Sequence, residues 1–204
     1  MKIYDYEGFP NPRRVRIFLA EKGVENIPFE QIDVPAGDHR KPDFLSKNPY
    51  AGVPVLELDD GTHVSETVAI SRYFEETHPT PSLLGTTAKE KAEIDMWQRR
   101  MEGTILDPSL AYFHHATDGL GELETYQNAD WGTHNRDGVA GALEKLDHQL
   151  EGKEFVTGDS FSIADITAIV GVDLAKALGI EIPETLANVK RWYETVSSRP
   201  SVAA

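Results

Sequence analysis

The chain has 204 residues, 40% hydrophobic and 26% charged, which supplies a buried core for one large or two small domains and excludes disorder throughout. Its 34 Asp and Glu against 20 Lys and Arg give a formal net charge of −14, which argues against nucleic acid as a partner, because phosphates are held by clustered cations. The absence of cysteine excludes disulfides, thiolate metal ligands and a cysteine nucleophile, so any thiol chemistry must use a thiol carried by a ligand.

Residues 2–6 alternate polar and apolar side chains as a strand does, and they lack the apolar core of a signal peptide. A helix is predicted over residues 12–22, stopped by Gly23, then a strand over 27–34 and a helical turn over 42–47. A strand over 53–58, the turn Asp59-Asp60-Gly61, a short strand at His63-Val64 and a helix over 66–77 complete a β-α-β-α-β-β-α order. The first crossovers are long enough for parallel pairing and the last connection is a tight hairpin. Residues 79–87, rich in Pro, Thr and Gly, read as a linker between a first domain, 1–78, and a second, 88–204. No strand signal follows. Amphipathic stretches over 89–115, 131–150, 162–178 and 183–198 predict an all-helical second domain, with a mobile loop expected over 116–129. The longest apolar run, near residues 163–172, is broken by Asp165 and cannot span a bilayer, so a soluble cytoplasmic protein is expected.

Several segments carry candidate chemistry. In Gly8-Phe9-Pro10-Asn11-Pro12-Arg13-Arg14-Val15, the residue types predict Asn11 as the helix cap, with Pro12 at the first helical position. Asn11 is either a cap alone or a cap whose NH₂ also donates to a ligand, at a helix N-terminus that favours an anion such as a thiolate. In Asn48-Pro49-Tyr50-Ala51-Gly52-Val53-Pro54, Pro54 marks an edge or a cis turn that leaves the backbone of Val53 open to an extended peptide. Glu66 and Thr67 open a helix where a ligand carboxylate meets the N-terminus and a hydroxyl, and an ammonium meets Glu66. The alternative is that Ser65 or Thr67 is only a cap. Ser162 and Asp165 form a capping-box pair, with Phe161 and Ile166 as a hydrophobic staple, and this is a folding element. His114 and His115 are adjacent, so on a helix they point about 100° apart and do not share a metal; no metal is expected.

In this order and spacing, Asn48-Pro49, Val53-Pro54, Glu66-Thr67 and Gly158 to Asp165 resemble the cytosolic glutathione transferase family over essentially the whole chain. The resemblance implies a thioredoxin-like α/β first domain followed by an all-α second domain, a homodimer, and glutathione as co-substrate. It assigns Val53, before a cis Pro54, to the cysteinyl backbone of glutathione and Glu66 and Thr67 to its γ-glutamyl end, and it places His39, Arg40 and Lys41 where members contact the glycine carboxylate, the alternative being a solvated charged loop. The chain departs from the family where many members place Ser, Thr or Cys, because that slot is Phe9, which cannot donate to sulfur. Phe9-Pro10-Asn11 is similar to the Thr-Pro-Asn of nu-class bacterial members, so the activating role is assigned to Asn11 with the helix dipole, with Tyr6 second and Tyr4 fitting poorly. Phe9, Tyr112, Phe113 and His115 are candidates for an apolar co-substrate pocket, although at helical spacing such aromatics are more often core. The function implied is a transferase that activates glutathione as a thiolate for attack on an electrophile, disulfide or peroxide. The alternative is a non-catalytic binding module that Phe9 would permit. A glutathione-dependent isomerase is disfavoured, because zeta-like members carry Ser-Ser-Cys at Phe9-Pro10-Asn11.

Overall fold

Alternation at the N-terminus makes β1 (Lys2–Asp5) the pivot of the first unit in the computed structural model, which describes residues 1–203. Two units, Met1–Ser82 and Leu83–Val202, divide the chain. In the first, α1 (Pro10–Glu21) links β1 to β2 (Phe29–Gln31). After α2 (Pro42–Leu45), the strands β3 (Val55–Glu57) and β4 (His63–Ser65) form a hairpin that leads into α3 (Thr67–Thr77). The strand order is β2-β1-β3-β4. β1 is parallel to β2, which the crossover through α1 permits, and antiparallel to β3, and β3 and β4 pair antiparallel across their short hairpin.

The two faces of β1 have different roles. Ile3, at 0% exposure, and Leu56 beside it in the ladder belong to the fully buried core, as do Ile17 and Phe18 of α1 and Ile70 and Phe74 of α3. On the other face Tyr4, Val55 and Phe44 of α2 form a separate cluster. There the Tyr4 hydroxyl donates to Glu57 at 2.5 Å, and its ring meets Phe44 edge to face. At the far end of α1 the side chain of Lys22 is buried, paired with Glu75 and donating to the carbonyl of Pro81. Ser82 donates to the same Glu75 carboxylate at 2.8 Å, so residues 81–82 are drawn back onto α1 and α3.

The first unit departs from expectation at the start of α1. The helix begins at Pro10, its N-cap is Phe9, and no side chain caps it, so Asn11 is not the cap. Proline is tolerated throughout a first turn, where a helical N–H has no partner anyway, and both prolines therefore enter the helix.

In the second unit the predicted stretch 89–115 divides into α4 (Ala88–Met101), a π-helical turn over Glu102–Leu106, and α5 (Asp107–Ala116). Pro108 explains the break: it lacks the N–H for its i−4 carbonyl and its ring crowds that carbonyl, a conflict that a widened turn relieves. α6 (Ala129–Gln149), α7 (Ile163–Ala177) and α8 (Ala187–Ser197) follow. α7 packs closely on the π turn, since a Cβ on Gly171 would lie 3.1 Å from Ile105 and 3.2 Å from the amide of Leu106. Its start carries the predicted capping box. The Asp165 carboxylate accepts from the amides of Val156 (2.8 Å) and Ser162 (3.0 Å) and from Trp192 Nε1 (2.9 Å). Burial raises the Asp165 pKa to about 6 against these donors. Among the described residues no helix is long and apolar enough to cross a membrane.

Candidate functional site

The sheet register decides which predicted residues meet. Tyr4 pairs with Val55 and Val55 with Ser65, while Asp5 lies beside Gln31 in the parallel pair. The chain leaving β1, entering β3, leaving β4 and leaving β2 therefore emerges at one end of the sheet. Val53 with Pro54 and Glu66 with Thr67 adjoin those strand ends, while Asn11 follows β1 by six residues and the segment 38–41 begins seven residues after β2.

At the first of these, Gly8 turns the chain at φ +87 and Phe9 packs its ring edge to face on Tyr6 at 4.6 Å. Pro10 and Pro12 remove two amides from the opening turn, the Phe9 amide goes to the carbonyl of Tyr6 at 3.3 Å, and the Arg13 amide to that of Phe9 at 3.1 Å. The remaining amide of the turn belongs to Asn11. The expectation of several free amides thus narrows to one residue, which supplies a backbone N–H and a side-chain NH₂ together. Arg14 Nη1 donates to Asn11 Oδ1 at 3.2 Å. Since a guanidinium has no acceptor, this bond identifies the amide oxygen and turns the NH₂ away from Arg14. Below, Asp5, 2% exposed, accepts from Arg16 at 2.6 Å and from Gln31 at 3.2 Å.

The second strand end is built by Asn48, which is buried. Its Nδ2 donates to the carbonyl of Gly52 at 2.8 Å and its Oδ1 accepts from the amide of Tyr50 at 3.1 Å. These bonds hold a tight loop in which Ala51 sits at φ +56. The Val53–Pro54 peptide is cis, and the β3 ladder starts only at Val55, so the peptide groups of Val53 lie outside it.

At the third, Glu66 is the N-cap of α3 at φ +71 and ψ 122, a conformation that a residue with a Cβ adopts only under constraint. Its carboxylate is exposed; Thr67 is buried at the first helical position, and its carbonyl accepts from Ser71 at 2.8 Å. No side chain caps this helix, so the reading of Ser65 or Thr67 as a cap does not hold.

The fourth segment changes the charge expected there. His39 is 5% exposed, and burial lowers its pKa, helped by the neighbouring Arg40 charge. Arg40 Nε donates to His39 Nε2 at 3.2 Å, which places the proton of the neutral ring on Nδ1. Lys41 is exposed and pairs with Asp38 at 2.5 Å, a bond that raises its pKa. The cations of this segment are Arg40 and Lys41, and His39 is not one of them. Tyr4 is committed elsewhere, donating to Glu57 on the α2 face, while the Tyr6 ring packs on Phe9.

In the second unit, Tyr112, Phe113 and His115 are all half-buried on α5. Arg136 lies over the Tyr112 ring at 5.4 Å, Phe113 stacks edge to face on His114, and His115 Nδ1 accepts from the amide of Asn128 at 3.2 Å. The loop expected to be mobile is tied down. Glu124 accepts from His114 Nδ1 at 2.6 Å and from the amide of Leu120 at 2.9 Å, while Gln127 donates to the carbonyls of His114 and Thr117 at 2.8 and 2.9 Å. The sequence reading missed these ties and the role of Arg14. An Arg three residues after an Asn in a first turn is the signal that could have pointed to the latter.

Comparison with known proteins adds lineage to this geometry. Residues 3–82 match the family model described as glutathione S-transferase, N-terminal domain, and residues 107–200 match the one described as glutathione S-transferase, C-terminal domain. The chain is 46% identical over 204 residues to glutathione S-transferase 2 of Saccharomyces cerevisiae, covering 99% of this chain and 88% of that protein. Among solved structures, a glutathione S-transferase domain-containing protein of Marinobacter aquaeolei superposes with a TM-score of 0.97 at 46% identity, covering 99% of this chain and 100% of the other. Gtt2 of Saccharomyces cerevisiae superposes at 0.96 and 45% identity, covering 100% and 99%.

Proposed function

From the premise that this chain belongs to the glutathione S-transferase family, we propose that it binds glutathione at the converging strand ends of the first unit and activates its sulfur with Asn11. It is a glutathione transferase, in which the bound tripeptide is the nucleophile and the protein supplies position and thiolate stabilisation. The convergence of Asn11, Val53, Glu66 and Thr67 at one sheet end carries this reading. The cysteinyl backbone of glutathione pairs with the peptide groups of Val53 that the β3 ladder leaves out. The γ-glutamyl ammonium meets Glu66, its carboxylate meets Thr67 at the start of α3, and the glycine carboxylate meets Arg40 and Lys41.

The sulfur then faces the opening turn of α1, where the Asn11 amides are the donors and the helix dipole adds to them. Each pKa unit by which the site favours the thiolate takes about 1.4 kcal/mol, within the reach of two hydrogen bonds to an anion. Electrophiles, disulfides and peroxides are the substrate classes. With no cysteine in the chain, reduction of the last two must use glutathione as the only thiol. The protein works as a cytoplasmic homodimer.

Titrating bound glutathione by the ultraviolet absorbance of its thiolate tests the reading. The bound thiol is expected to ionise below its free pKa, and Asn11→Ala to remove most of that shift. An unshifted thiol in the unmutated protein overturns the activation and leaves a binding module.

A further inference from the structure

We infer that Arg14 is the positioning residue for Asn11: its guanidinium holds the amide oxygen, and so presents and polarises the NH₂ that faces the glutathione sulfur. The inference rests on the reading of Asn11 given above. A carboxamide has two chemically opposite ends, and in a first turn without a side-chain cap nothing in the α1 backbone selects between them. With the oxygen outward, Asn11 would present a lone pair to a thiolate and repel it; with the nitrogen outward, it donates. Arg14 makes the choice. It lies one turn further along α1, is 4% exposed, and donates Nη1 to Oδ1 at 3.2 Å. A guanidinium never accepts, so the bond forms in one orientation only. Its positive charge at the carbonyl oxygen also draws electron density from the amide nitrogen, which makes the N–H a stronger donor. A hydroxyl in this task rotates to suit its ligand. An amide in the same task needs its orientation imposed, and here Phe9 at the helix cap has no polar atom with which to impose it.

The test is a double-mutant cycle on Asn11→Ala and Arg14→Met, read as the pKa of bound glutathione from thiolate absorbance. Asn11→Ala is expected to raise that pKa by about one unit and Arg14→Met by about half as much. Arg14→Met in the Asn11→Ala background is expected to add nothing. If it adds the same shift there, Arg14 acts on the sulfur through its own charge and the inference is overturned while Asn11 keeps its role. If Asn11→Ala itself leaves the pKa in place, the reading beneath falls first. A measurement on the unmutated protein covers the case in which Arg14→Met does not fold. With nitrogen-15 in the asparagine side chains, glutathione is expected to shift the Asn11 NH₂ resonances, and S-methylglutathione, which cannot ionise, to shift them far less. Equal shifts overturn the inference, because the NH₂ is then not turned toward the thiolate.

Discussion

The beginnings of α7 and α1 solve the same problem in opposite ways. Every helix starts with amides that have no partner inside it. At α7 the chain supplies partners from within: Ser162 caps, Asp165 reaches back to the Ser162 amide, and Val156 and Trp192 donate to the same buried carboxylate. At α1 the demand is removed, with proline deleting two amides and the cap left to a phenylalanine, so that what remains concentrates in Asn11. A closed start contributes stability and has nothing left for a ligand. An open start contributes little stability and keeps its donors. This separation makes the two sites distinguishable by substitution.

The largest effect is expected at the closed start. Asp165→Ala strands four buried donors, the amides of Val156 and Ser162, the Ser162 hydroxyl and Trp192 Nε1, and should cost about 3–5 kcal/mol in urea unfolding, with the thiolate pKa of bound glutathione unmoved in whatever fraction stays folded. A loss below 1 kcal/mol would show that water replaces the carboxylate and that this start is not closed. Next comes the pH response of the same group. Its folded pKa of about 6 lies above the ordinary value of 3.8, so between these the folded state holds more protons than the unfolded. The stability Asp165 contributes is therefore complete below the lower value and is lost as pH rises through the upper, by on the order of 3 kcal/mol. Unfolding measured from pH 4 to 7 should show that fall in the unmutated protein and not in Asp165→Asn.

At the open start the expectations reverse. Asn11 caps nothing, but Asn11→Ala removes an acceptor of the buried Arg14 guanidinium, so it should cost about 1 kcal/mol in unfolding, well below Asp165→Ala, yet slow conjugation about tenfold at neutral pH. A stability loss as large as that of Asp165→Ala would erase the contrast. A third helix start, that of α3, sharpens it further. Glu66 is held at φ +71, so Glu66→Gly should relieve about 1 kcal/mol of backbone strain and raise the melting temperature while weakening glutathione binding, as titration calorimetry would register. Unchanged affinity would remove Glu66 from the site.

The closed start was legible and the open one was not, for a physical reason. A capping box is written in four consecutive residues, so Ser162 and Asp165 could be assigned without knowing what packs on them. Around α1 two residues each precede a proline, and propensity favours Asn11 over Phe9 as the cap, but the chain takes the earlier proline as its first helical residue. The strand and helix order of the first unit was readable from periodicity, whereas the burial of His39 depends on packing that periodicity does not encode. The same holds for the loop after α5. Its polar residues were visible, but the pairing of Glu124 with His114 spans ten residues and follows no repeat. The split of the long stretch into α4 and α5 had a visible cause in Pro108, although proline alone does not reveal that the helix widens rather than ends.

The buried ammonium of Lys22 sets a practical limit on dissecting the molecule. It is closed off by the Pro81 carbonyl as well as by Glu75, and Ser82 completes the ring of polar contacts. A gene fragment meant to yield the first unit alone should therefore be trimmed after Ser82; stopping at His78, where helical periodicity ends, would keep the cation and discard part of its enclosure.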